Sequence, residues 1–334
     1  MMYLADRTQN GLKAVAGLLA AKNRFILLTH VNPDGDALGS LIALGQGLRS
    51  LGKKATMFCE SGVPSLYEFL PGAQEVTAVP GRPEDYEAAV LLDCNSLKRA
   101  GEQALAMAAV PVLAVLDHHI PDGPLPEPAV VDTRISAAGE LVYHLLLILK
   151  AEITPEMATN LFVAVSTDTG SFSYENTTAE VMVVAGDLVK KGAQPWKIFQ
   201  DLHLNRPPQR LNILGLSLKD IEFFWGGRIG ALTVTAAMMS RTGATEIDTD
   251  GFVEYPRFVR GVELAVLFRE ADNGACKVSL RSKGRFNAAA LARSFGGGGH
   301  VSAAGFTAQG PLEEIKRKVI DAAGRFMPGS ENSQ

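Results

Sequence analysis

The segment THVNPDGDALGS (residues 29–40) sets His30, Asp34 and Asp36 within seven residues of one another. Asn32-Pro33-Asp34-Gly35 is good turn chemistry and Asp36 can cap a following helix. Alone, the segment reads equally as a turn or as a ligand loop. It does not stand alone. Asp93 closes the apolar run AAVLLD (88–93), Asp117-His118-His119 ends the run VLAVLD (112–117), and Asp168 lies in VSTDTGSF (165–172) after another apolar segment. Three of the six histidines fall in these loops, and adjacent histidines at the edge of an apolar run are costly to bury unpaired. Chance explains the set poorly. Carboxylate oxygens with two or three imidazoles suit Mn²⁺, Mg²⁺, Fe²⁺ or Co²⁺ better than a thiolate-rich zinc site. Two such ions roughly 3.5–4 Å apart activate a shared water, hold a phosphate and neutralise charge during in-line displacement. That chemistry needs a bridging carboxylate and an excess of acidic ligands, which this set supplies.

These side chains must be held by a scaffold. Residues 11–22 read as a helix and 24–29 (RFILLT) as a short buried strand. From 37 to 51, Leu38, Leu41, Ile42, Leu44 and Leu48 recur at helical spacing. Residues 55–58, 88–93 and 112–117 are further apolar runs, and 155–168 and 178–191 look helical. Short apolar runs alternating with helical segments predict an α/β fold with a buried parallel sheet and crossover helices. Ligands in such sheets bind beyond the carboxyl ends of the strands, where His30, Asp93 and Asp117 all fall. The texture then changes. LHLNRPPQR (202–210), with Pro207-Pro208, reads as a linker. After it, strand-like runs at 228–235, 262–270 and 276–282 and a helix at 312–326 suggest a smaller α+β domain. The expected division is 1–200, a linker at 201–212, a second domain at 213–327 and a disordered tail at 328–334.

The second half carries its own candidates. Gly296, Gly297, Gly298 and Gly299 precede His300, and residues 277–293 hold five cations and no acid. A glycine run is either a flexible loop or a backbone nest for an anion. Arg281, Ser282 and Lys283 lie in a strand-like run that is either a solvated edge or, with GGGGH, a phosphate-binding surface; the combination favours the latter. Arg99 in LKRAGE reads equally as a phosphate contact or a helix-surface residue. Phe172 reads equally as a base-stacking ring or core.

The net charge of −4 argues against a broad basic face for long nucleic acid. Residues 1–211 carry 17 Lys/Arg against 23 Asp/Glu, whereas 212–327 carry 15 against 12, an acidic half suited to cations beside a mildly basic half suited to anions. Cys59, Cys94 and Cys276 have no metal-binding or disulfide spacing. Neither a signal peptide nor an apolar run of about 18 residues is visible, and a cytoplasmic protein without membrane contact is expected.

In order along the chain, HVNPDGDALGS, LLDCNSLKRAGE (91–102), LDHHI (116–120) and VSTDTGSF resemble the four motifs of the DHH phosphoesterases, and KVSLRSKGRFN (277–287) and FGGGGHVSAAGF (295–306) resemble their associated substrate domain. The similarity spans nearly the whole chain and is nearest to the bacterial oligoribonuclease (nanoRNase) and pAp-phosphatase subgroup. By this resemblance His30 and Asp34 bind one divalent metal, Asp36 and His118 the other, with Asp168 completing the second site and Asp93 bridging. His119 contacts the scissile phosphate and assists the leaving group, while Asp117 orients the histidines. Arg281 and His300, with Gly297, Gly298, Gly299, Ser282 and Arg99, contact substrate in a cleft between a catalytic domain and a substrate-binding domain. The implied activity is hydrolysis of short oligoribonucleotides or of 3′-phosphoadenosine 5′-phosphate (pAp) with two metals, Mn²⁺ first and Mg²⁺ or Co²⁺ as alternatives. Other readings are a pyrophosphatase, a phosphodiesterase for linear dinucleotides such as pApA, a RecJ-like single-strand exonuclease, and a non-catalytic nucleotide sensor. Long duplex nucleic acid is not expected as a partner. A homodimer is common in such proteins, although no stripe in the sequence requires one.

Overall fold

The computed structural model describes residues 4–121, 123–271, 274–284, 286–299 and 301–327. His300 and the tail at 328–334, both read from the sequence, lie outside the described residues. The chain divides into two compact units, one ending at Asn205 and the other starting at Arg206.

The first unit opens with α1 (Asp6–Ala21), β1 (Arg24–Leu28), α2 (Gly35–Ser50), β2 (Lys54–Phe58), β3 (Val76–Thr77) and β4 (Ala88–Leu92). It continues with α3 (Leu97–Ala100), β5 (Leu113–Asp117), β6 (Ala129–Val131), α4 (Ala138–Ile148), α5 (Pro155–Asp168), α6 (Ala179–Lys190) and α7 (Pro195–Phe199). The six strands form one parallel sheet in the order β3-β2-β1-β4-β5-β6. Alternate residues point to opposite faces. Phe25, Leu27, Val90 and Leu92 join the core beneath α1, α2, α4 and α5. Ile26, Leu28, Ala89 and Leu91 pack with Ala104 and Met107 on the other face. Both faces are therefore covered, which is why the strands read as unbroken apolar runs. The strand order reverses between β1 and β4, so a crevice opens beyond their carboxyl ends. Thr29 closes its floor by donating its hydroxyl to the Leu92 carbonyl at 2.9 Å.

Gly35 and Gly39, one helical turn apart on α2, let α2 lie directly on α5. A Cβ at Gly35 would collide with Thr167, and one at Gly39 with the Asn160 carbonyl.

The second unit holds α8 (Pro208–Lys219), β7 (Glu222–Phe224), β8 (Ile229–Val234), α9 (Ala236–Thr242), α10 (Glu254–Arg257), β9 (Leu264–Glu270) and β10 (Ala275–Ser282). α11 (Ala288–Ser294), β11 (Gly298–Gly299), β12 (Ala303–Gln309) and α12 (Leu312–Phe326) complete it. Its mixed sheet runs β11-β12-β10-β9-β8-β7, antiparallel except for the β8–β9 pair. α11 and α12 cover one face through residues such as Leu291, Ile315 and Val319. α8 and Phe252 cover the other.

The segment expected as a linker is more ordered than its prolines suggest. A π-helical turn occupies Gln200–Leu204, and α8 begins at Pro208. Proline lacks only an N–H that the first helical turn would leave unpaired, so Pro208 starts a helix rather than breaking one. No helix among the described residues is long and apolar enough to cross a membrane, and all three cysteines are free and buried.

Candidate metal centre

Asp93 is the pivot. It directly follows β4, is 1% exposed and has φ = 57°, a left-handed conformation uncommon for a side-chain-bearing residue. That turn aims its carboxylate back across the sheet end. Oδ2 lies 3.3 Å from His30 Nε2, and Oδ1 lies 3.4 Å from His118 Nε2 and 3.5 Å from His119 Nδ1.

The other groups are delivered by strand ends and helix termini. His30 follows β1, and its Nδ1 donates to the Val31 carbonyl at 2.9 Å. His118 follows β5, and its Nδ1 donates to the Ile135 carbonyl at 3.2 Å. A carbonyl only accepts, so each ring carries its proton on Nδ1 and turns Nε2 toward carboxylates. This is how metal-binding histidines are commonly oriented. Asp34 caps α2, with Oδ1 accepting from the amides of Asp36 and Ala37, both at 3.0 Å. Asp36 is fully buried. It accepts from Ser40 Oγ at 3.1 Å and from the first amides of α4, Ala138 at 2.6 Å and Gly139 at 2.8 Å. The positive end of a helix thus steadies this anion. Asp168 ends α5, with Oδ2 3.4 Å from His118 Nε2.

Three groups result whose ligand atoms lie within 4.8 Å of one another: His30, Asp34 and Asp93; Asp36, His118 and Asp168; and Asp93, His118 and His119. The third is the weakest. The His119 nitrogen nearest Asp93 already bonds Asp117 Oδ1 at 2.7 Å. Asp117 sits beneath the histidine pair. Its Oδ1 also accepts the amides of His118 and His119 at 2.8 and 3.1 Å, and its Oδ2 accepts Asn95 Nδ2 at 2.7 Å.

The protonation balance reflects crowding of like charge. Burial and the neighbouring Asp93 push the Asp34 carboxyl up. Burial, Asp93 and Asp168 push Asp36 well up. Burial raises Asp168 to about 6 despite His118. Burial opposes the charge on Asp93, yet His118 and His30 outweigh it and hold this carboxyl below its usual range. Burial likewise opposes charge on His118, but Asp93, Asp36 and Asp168 raise it to about 10. Asp93 Oδ1 and His118 Nε2 are both buried without a hydrogen-bond partner. Crowded carboxylates favour a positive charge at Nε2, and a divalent cation in place of that proton would satisfy the nitrogen lone pair and the carboxylate oxygens together, so the residues present fit divalent metal.

Residues 24–165 match the DHH family N-terminal domain and residues 231–327 match the DHHA1 domain. The bifunctional oligoribonuclease and PAP phosphatase NrnA of Thermus thermophilus is 35% identical over 91% of this chain and 90% of its own length. The chain belongs to the DHH family. An exopolyphosphatase-related protein of Bacteroides fragilis superposes with a TM-score of 0.90 at 26% identity, covering 95% of this chain and 96% of that one. RecJ of Thermus thermophilus, solved with Mn²⁺, shares the fold at a TM-score of 0.55 and 20% identity, over 95% of this chain and 55% of RecJ. The DHH chain is thus a phosphoester hydrolase with a parallel-sheet DHH domain and a separate α+β domain.

The remaining sequence candidates of the DHH protein are not members of these three groups. Arg99 on α3 tethers the metal loop through its carbonyl, which accepts the Val31 amide at 2.9 Å. Phe172 packs edge to face on Phe162 at 5.7 Å against the core, which favours its core reading. In the second unit Arg281 pairs in register with Ala303 of β12, and its Nε lies 3.3 Å from Glu254 Oε1. Ser282 is buried and donates its hydroxyl to the Val301 carbonyl at 3.0 Å, so it holds that loop rather than presenting a free donor. The glycines are less a loose nest than an edge strand. Gly298 and Gly299 pair with Gly305 and Ala304, and a Cβ at Gly297 would meet the Gly305 carbonyl. Their backbone remains exposed at the sheet edge.

Sequence reasoning missed Asn95, Ser40 and the α4 amides. Asn95 lies in LLDCNSLKRAGE, two residues after Asp93. The approach of α4 to Asp36 spans 102 residues and left no local signal.

Proposed function

We propose that this DHH chain hydrolyses short oligoribonucleotides and pAp with two divalent cations. The observation that carries the metal reading is Asp93, whose two oxygens face different ligand groups while Oδ1 and His118 Nε2 lack any hydrogen-bond partner. His30, Asp34 and Asp93 would hold one cation, and Asp36, Asp93, His118 and Asp168 the other. Bound there, the two cations, Mn²⁺ by the mixed imidazole and carboxylate donors, would make a water nucleophilic near neutral pH and neutralise phosphoryl charge. Asp117 keeps the His119 proton on Nδ1, so the ring meets a phosphoryl or leaving-group oxygen through Nε2. Arg281, His300, Gly297, Gly298 and Gly299 bind a second substrate phosphate. Arg99 supplies a further phosphate contact, and Ser282 supports the glycine loop. The substrate choice is supported by the Thermus thermophilus relative, which bears both activities in its name.

The test is incubation with Mn²⁺ and, separately, pAp, a three-nucleotide RNA, a long single-stranded DNA and pyrophosphate, with products followed by chromatography. Release of AMP or mononucleotides, abolished by chelator, is expected. Cleavage of pyrophosphate or long DNA alone would replace the substrate assignment, and no cleavage of any, with metal bound, would sink it.

A further inference from the structure

In the second unit three aromatic rings run outward from the core. Phe252 is fully buried, Tyr255 is half-buried and Phe258 is 72% exposed. Phe252 and Tyr255 meet edge to face at 6.3 Å, and Tyr255 and Phe258 at 6.0 Å. The Phe258 amide bonds the carbonyls of Glu254 and Tyr255, both at 3.2 Å. The outermost ring is therefore braced from behind, on a fixed backbone.

A lone exposed phenylalanine needs no explanation; the charges around this one change the reading. Arg257 precedes it, and Arg260 follows it, exposed. Lys283, just past β10, reaches across to donate to the carbonyls of Arg257 at 3.2 Å and Val259 at 3.3 Å. Glu254 divides its carboxylate between two arginines, Oε1 at 3.3 Å from Arg281 Nε and Oε2 at 2.7 Å from Arg257 Nη2. Arg257, Arg260 and Lys283 thus lie on or against the loop that carries the ring, and Arg281 stands behind Glu254. A peptide or lipid would want a broad apolar surface, and along residues 252–262 the exposed apolar side chain besides Phe258 is Val259, at 37%. An exposed aromatic face on a cation-bearing loop matches a single-stranded nucleotide, with the base on the ring and phosphate on the cations.

We propose that Phe258 is a base-stacking platform that takes one nucleotide of a single-stranded oligonucleotide, with Arg257, Arg260 and Lys283 as its phosphate-facing cations. This rests on the reading of the chain as a hydrolase of short oligonucleotides. The platform reads no particular base, because every base offers a π-face.

Two measurements test it. Phe258→Ala raises KM for a three-nucleotide RNA about tenfold, the loss of one stacked base, and Phe258→Tyr restores it. Phe258→Trp, titrated in the presence of chelator so that nothing turns over, shows tryptophan quenching by the RNA and none by ribose 5-phosphate, beyond the background of Trp196 and Trp225 in the unaltered chain. An Ala variant with KM within about twofold of the parent, or equal quenching by the two ligands, overturns the proposal. RNA-specific quenching in a protein that hydrolyses none of the substrates would sink the hydrolase reading and leave the platform standing. Normal hydrolysis with no Phe258 effect would sink the platform alone.

Discussion

Asp93 faces three imidazoles within 3.5 Å, and its surroundings are built to keep it ionised. The left-handed turn at its own backbone cannot be relaxed without moving the carboxylate off both ligand groups. Asp117, one layer below, touches no ligand position except through the histidines it holds. Replacing Asp117 by Asn exchanges an acceptor that takes two amides and one ring N–H for a group with half that capacity. We expect Asp117→Asn to lower Mn²⁺ affinity and kcat/KM by about 10–100-fold, the range typical of groups that orient metal ligands. Calorimetric Mn²⁺ titration and steady-state kinetics would measure this. Unchanged metal affinity would mean that the histidines keep their orientation without it.

At the scale of elements, the α2–α5 contact sets the spacing between Asp36 and Asp168. Gly39→Ala would drive a methyl into the Asn160 carbonyl. Such overpacking costs typically about 1–3 kcal/mol, and the displaced helices would weaken metal binding. Urea unfolding with and without Mn²⁺ would separate the two effects, and a variant as stable as the parent would place the contact elsewhere. α4 carries a second testable feature. His144, 8% exposed and with Nδ1 unbonded, is held by burial at about 4, below its ordinary value. Between that value and about 6.5 the unfolded chain binds more protons than the folded one, so stability is complete above pH 6.5 and falls as pH drops toward 4. The loss from pH 7 to pH 5 is about 2 kcal/mol. His144→Leu should flatten this part of the urea-midpoint profile, and an unaltered slope would show that other groups supply it. The strand-borne members of the cluster were legible in the sequence because a short apolar run leading to His30, Asp93 or Asp117 announces both the strand and its carboxyl end. The groups that fix their angles were not. The amides of Ala138 and Gly139 reach Asp36 only after folding, and a hydrogen-bonded Ser282 looks in sequence like any surface serine. Pro207-Pro208 marks the passage between the units, which divide at Asn205 and Arg206, and the same pair also starts a helix.

For the whole molecule, the two units carry opposite charge balance, 15 basic against 23 acidic residues in 1–205 and 17 against 13 in 206–334. That balance suits the first part to cations and the second to anions. A few local phosphate contacts, rather than a continuous basic track, should give shallow salt dependence. We expect log kcat/KM for a three-nucleotide RNA to fall with log salt at a slope of about −2 or shallower, from about 0.7 per contacted phosphate. A much steeper slope would point to a long single strand as the true substrate. The central claim remains that one carboxylate serves two cations, and equilibrium dialysis against Mn²⁺ tests it directly. The intact chain should bind two ions, and Asp93→Ala should weaken both. A variant that loses one ion and keeps the other at parental affinity would contradict the shared-ligand account.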